Sequence, residues 1–118
     1  MTAQLQNSGL ARIAAALVGL PWWIGWGTGS GAIASANGLV SAAPETHVAA
    51  AVSVGTTNAP NDTFVLVGNI TAAVSRAITE FGAFDAATGG NLDIYADAPV
   101  INLGAGDSVT YTLRLTFS

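Results

Sequence analysis

The residues with chemical potential in this chain fall into four groups. Between Pro21 and Ala32 the sequence runs "PWWIGWGTGSGA", placing Trp22, Trp23 and Trp26 beside Gly25, Gly27, Gly29 and Gly31. Glycines so close together can cradle a phosphate, and tryptophans can stack on sugar rings. His47 is the single histidine, and Glu80, Asp85, Asp93 and Asp97 are carboxylates close enough in sequence to consider for acid–base work or calcium binding. "NDT" at Asn61 and "NIT" at Asn69 fit glycosylation sequons, which have meaning only in a secretory pathway.

None of these groups completes a known constellation. A dinucleotide fingerprint needs G-x-G-x-x-G opening a helix within a βαβ unit, and a phosphate loop needs a Gly-Lys-Ser/Thr ending. Here the third spacing is wrong and lysine is absent from the chain. The glycines therefore read as a mobile loop that allows a tight strand exit. In an extended strand Trp22, Ile24 and Trp26 share a face and Trp23 points the other way, which suits core or subunit-interface packing. A carbohydrate-binding module that uses Trp22, Trp23, Trp26 and Tyr95 is the alternative. No motif sets a serine, cysteine or second ligand beside His47, so it reads as structural. The carboxylates match no calcium loop, and Asp85, before "AATGG", is placed to organise its own turn through backbone N–H groups. No catalytic residue, cofactor site or metal site is expected, and the chain reads as a non-enzyme.

Composition narrows the partners. Across 118 residues 51% are apolar and only 8% charged, against about 25% charged in ordinary domains. A surface so poor in charge suggests cover by other subunits, and hence a homo-oligomer. Net charge is −4 with three basic residues, too few for the basic patch that nucleic acid requires, so no direct nucleic-acid binding is expected. Cysteine is absent. The apolar stretch from Ile13 to Leu20 stops at Pro21, well short of the roughly 20 residues that span a bilayer. It reads as a buried or interface helix rather than a membrane anchor, and as a secretory signal it lacks a basic leader.

The elements that carry these residues follow from periodicity. Asn7 or Ser8 can cap a first helix whose stripe is Leu10, Ile13, Ala14, Leu17 and Val18, ended by Gly19 and Pro21. "WWIGWG" is a short strand, and one helical turn is expected around Leu39 and Val40. From Val48 to Val54 the period becomes two. Residues 63–84 are too long for one strand and should bend near 75–78, Pro99 marks an edge or break, and Val109 to Phe117 alternates throughout. The fold expected is mainly β, an antiparallel sandwich or small barrel with an N-terminal α-helix. Residues 1–20 form the helix, read as an assembly or interface segment, and residues 21–118 form the β-sandwich domain. The expected interface residues are Leu10, Ile13, Leu17, Val18, Trp22, Trp23 and Trp26.

Residues 78–92, "ITEFGAFDAATGGNL", together with the flanking "WIGWGTGSG" and "INLGAGDSVTYTLRLTFS", resemble a recurrent element of small bacteriophage virion proteins. Similar elements occur in capsid decoration (cement) proteins and in tail-fibre attachment domains. The resemblance spans about residues 22–118 and rests on the order of short motifs. It implies a virion location, the major capsid protein or other virion proteins as partners, and a homo-oligomer, trimeric by that analogy or else dimeric. Clamping of the major capsid lattice is the function it implies first, and a neck, baseplate or tail-fibre attachment role second. Within the segment, Glu80 is expected to pair with Arg76 or Arg114, fixing strand register, and Ala83 stands where a larger apolar residue is usual.

Overall fold

The computed structural model describes residues 1–118 as one helix followed by seven strands: α1 (Asn7–Val18), β1 (Trp23–Gly27), β2 (Val48–Ala49), β3 (Ala51–Gly55), β4 (Thr63–Thr71), β5 (Arg76–Phe84), β6 (Leu92–Leu103) and β7 (Ser108–Thr116). They form two antiparallel sheets, ordered β2-β1-β5-β6 and β3-β4-β7. The molecule is a β-sandwich with an N-terminal α-helix. Its core is a single cluster that includes Ile24, Trp26, Phe64, Leu66, Ile70, Ile78, Phe81 and Leu113. Phe81 of one sheet stacks flat on Tyr111 of the other at 3.8 Å, and Trp22 tilts onto Phe64 at 5.2 Å. Aromatic pairs of this kind add to the area that they bury and join the two layers.

The chain changes sheet without a long connection. The alternation from Val48 to Val54 reads as one strand, yet β2 pairs with β1 while β3 pairs with β4. Between them Ala50 donates its N–H to the Trp22 carbonyl at 2.9 Å, so the strand turns a sandwich corner there. Residues 63–84 likewise divide at 72–75 into β4 and β5. Phe64, Leu66, Ile70 and Ala72 are buried as their spacing predicts, whereas Val74 lies in the connection and is exposed. Pro99 falls on β6, an edge strand. Register there jumps from Ile78↔Ile101 to Glu80↔Asp97, so Thr79 faces a bulge made by residues 98–100. Proline has no N–H for a ladder, and an edge bulge accommodates that lack.

Three local expectations are corrected. Gln6, not Asn7 or Ser8, caps α1, and it does so without a side-chain bond. No helical turn forms around Leu39 and Val40, because the N–H groups of Val40 and Ser41 go to Glu80. β7, whose regular alternation suits a strand of the sheet core, turns its apolar face inward with Leu113 buried and Val109, Tyr111 and Leu115 half-buried, and it lies at the edge of its sheet. The helix is a separate element but not a separate packing unit. It lies on β3 and β4, and Ala14 belongs to the same buried cluster as Trp22 and Phe64.

Candidate functional site: a polar clasp and an apolar groove

Most of the residues with chemical potential fall in two regions with different character, whereas Asn61, in the turn before β4, and Asn69, on β4, lie apart from both. The first is the outer face of the β2-β1-β5-β6 sheet. Residues 28–41 form a loop whose ends meet, closed by Thr28 N–H to the Ser41 carbonyl at 2.9 Å and Ala43 N–H to the Trp26 carbonyl at 3.1 Å. Glu80, buried on β5, holds this loop from beneath. Its Oε2 accepts from Gly29 N–H at 3.1 Å and Ser41 N–H at 2.8 Å, and its Oε1 from Val40 N–H at 3.0 Å and the Tyr95 hydroxyl at 2.9 Å. The expected ion pair with Arg76 or Arg114 is not formed: Arg76 instead bonds Glu45 at 2.9 Å. Backbone donors take the place of a cation because the loop brings three N–H groups to one point.

Protonation states follow from this geometry. Burial pushes the Glu80 carboxyl upward, but the N–H groups of Ser41, Val40 and Gly29 with the Tyr95 hydroxyl outweigh it and hold the group below the ordinary range. The single phenolic proton of Tyr95 is shared between Glu80 and the Asp97 Oδ1, also at 2.9 Å. Burial, then Asp97 and Glu80, push that phenol up to about 12. Glu80, Tyr95 and Asp97 are thus brought together, but Glu80 is fully enclosed with its acceptor positions filled. It is closed to substrate.

The glycine run is explained by close approach. A side chain at Gly25 would strike His47, one at Gly27 would strike Glu80 and the Ser41 carbonyl, and one at Gly29 would strike Val40; only Gly31 needs its positive φ of 76°. These glycines let the loop lie on the sheet, and they bind it closely rather than leaving it free. His47 stacks on Phe84 at 3.9 Å and sets its Nδ1 3.1 Å from the Ala86 carbonyl, a packing role. Asp85 organises its turn as expected, accepting from Asn91 N–H at 2.7 Å, with Gly89 and Gly90 at positive φ. A second buried carboxylate, Asp62, was not signalled by any motif beyond its turn-rich neighbourhood. Burial pushes it up, but N–H groups of Thr57, Ala59 and Asn58 and the Thr63 hydroxyl lower it to about 2.

The second region is a groove of about 390 Å³ where the end of α1 meets β6 and β7, lined by Ile13, Leu17, Leu20, Trp22, Asp93, Ile94, Leu115 and Phe117. Three of the expected interface residues, Ile13, Leu17 and Trp22, converge here. The stripe of α1 is divided: Leu10 and Ala14 turn inward, Leu17 and Val18 are half-buried, and Ile13 is exposed, as is Leu20 just beyond the helix. Trp22 and Trp26 are only 7% and 1% exposed, with the Trp22 Nε1 donating to the Leu17 carbonyl at 2.8 Å. They cannot act as a sugar-stacking platform, and Trp23 alone is half-buried. Asp93 is the one acidic group on the groove. Burial, then repulsion from Asp85, raises its carboxyl above the ordinary value.

No known protein family matches this chain, and no characterised protein sequence matches it at a significant level.

Proposed function

We propose that this chain is a structural protein of a bacteriophage virion, of the capsid decoration type, which binds and stabilises the lattice of the major capsid protein and acts as a homo-oligomer. The observation that carries the proposal is the groove beside α1. It is a recessed apolar surface flanked by exposed Ile13 and Leu20 on a chain with 8% charged residues. A surface of this kind suits permanent burial against neighbouring subunits. The resemblance of residues 78–92 to virion elements directs the proposal to a phage particle. The polar clusters support a non-catalytic role, since Glu80 and Asp62 are committed to backbone N–H groups.

Copy number in purified virions tests the proposal. Quantitative gel analysis should find hundreds of copies per particle. A dozen or fewer would transfer the chain to the neck, baseplate or tail-fibre attachment, and absence from the particle would remove the virion role.

A further inference from the structure

We propose that β7 is a self-pairing edge: two copies of this chain join antiparallel along Ser108–Thr116, extending the three-stranded sheet into one of six strands across a two-fold axis at Thr112. All nine residues of β7 pair in unbroken register with β4 on one side. On the other side its backbone bonds to nothing. None of the backbone hydrogen bonds outside the regular ladders involves residues 108–116, and no side chain bonds their backbone groups. An edge of roughly 30 Å, at about 3.4 Å per residue, is thus a ready template for another strand.

The contrast with the other edges identifies this one. β6 carries Pro99 and a bulge, and the loop reaches over it through the Leu92 N–H and Asp97. β2 and β3 are two and five residues long. β7 has neither the proline nor the bulge that blunts β6, and its one charged side chain is Arg114. Faces and charges select the register. Like faces match only when opposed residues have the same parity, because a one-residue slip turns the apolar face outward. Full overlap of the strand with its own copy then centres on Thr112. Arg114 comes opposite Thr110 of the second copy, so no two like charges meet, and Thr112 meets Thr112, a pair that sheets tolerate well. The net charge of −4 lies off this seam, which carries Arg114 alone. Leu115 belongs to both strand and groove, so the second copy's Val109 lands at the mouth of the groove.

The inference does not rest on the virion proposal, and it favours a dimer over a trimer. Its test uses the full chain, which has no cysteine of its own. Directly opposed Cα atoms across an antiparallel pair lie about 4.5–5.5 Å apart, within disulfide reach. Thr112→Cys, at an exposed position, should therefore cross-link two chains under mild oxidation. Thr110→Cys, offset along the seam, and Ser53→Cys, on the opposite edge of the same sheet, should not. Sedimentation should show a dimer that Thr112→Lys weakens several-fold while the melting temperature of the dilute protein stays unchanged. A monomer at high micromolar concentration, or cross-linking as efficient through Ser53→Cys as through Thr112→Cys, would overturn the proposal.

Discussion

Around Glu80 a buried carboxylate has four donors directed at it, whereas along the free side of β7 a row of backbone groups has none. The two regions lie on different sheets of one small domain, and they divide its work. At Glu80 the polar groups are turned inward and saturated, and they close the 28–41 loop onto the sheet. At the groove the surface is apolar, and along β7, whose exposed side chains are polar, the backbone hydrogen-bonding capacity of the free edge is unspent. Glu80, Asp62 and Asp85, which invite a chemical reading, are thus engaged in holding the fold, and the surface available to partners is an apolar groove beside an unpaired strand edge.

The strongest way to break this division is Glu80→Ala. It strands three loop N–H groups above a cavity, and each unsatisfied buried group costs about 1–3 kcal/mol. Because these three are only partly buried and can reach water, a total loss near the lower end, about 3–5 kcal/mol, is expected. Chemical denaturation should show it as a lower midpoint, together with protease cleavage inside residues 28–41. A loss under about 1 kcal/mol would mean that the loop does not depend on its clasp.

Acid should act on Glu80 and on the separate turn held by Asp62. The Glu80 carboxyl is held below its ordinary 4.5, and Asp62 is lowered from 3.8 to about 2. A lowered folded value contributes stability that is complete above the unfolded value and is lost as pH falls through the folded one. The melting temperature should therefore fall below about pH 4.5 and continue to fall toward pH 2. Asp93 has the opposite sign: its raised value slightly disfavours the fold above its ordinary 3.8, and protonation relieves this. Asp62→Asn should flatten the acid limb, and Asp93→Asn should leave it in place.

The groove should respond weakly in stability. Leu17→Ala, at a half-buried position, should cost about 1 kcal/mol. Ile13→Ser and Leu20→Ser, at exposed positions, should change stability by no more than about 0.5 kcal/mol. Both serine variants should nevertheless reduce assembly, measured by sedimentation, because they remove apolar surface at the groove. Unfolding of either by thermal melting would instead assign the groove to the core.

Much of the scaffold was legible in the sequence because it is local. The alternation of Trp22, Ile24 and Trp26, the Asp85 turn with Gly89 and Gly90, and the edge position of Pro99 each follow from a few adjacent residues. The corner at Ala50 was not legible, since side-chain alternation continues through it while the hydrogen-bonding partner changes. The Glu80 clasp was hidden for a related reason. Its donors, Gly29, Val40 and Ser41, lie 51, 40 and 39 residues away, and a backbone N–H leaves no trace in residue type. An arginine does leave one, which is why an ion pair was expected. The apolar stripe of α1 was legible as a stripe, but its division between core and groove depends on how the helix lies on β3 and β4.

Amide hydrogen exchange, compared between dilute and concentrated protein, tests the division between the two regions most directly. Concentration should add protection along residues 108–116 and around Ile13 to Leu20, while residues 28–41 exchange at the same rate in both. Added protection in the 28–41 loop, with residues 108–116 unchanged, would contradict the account and make the clasped loop the assembly surface.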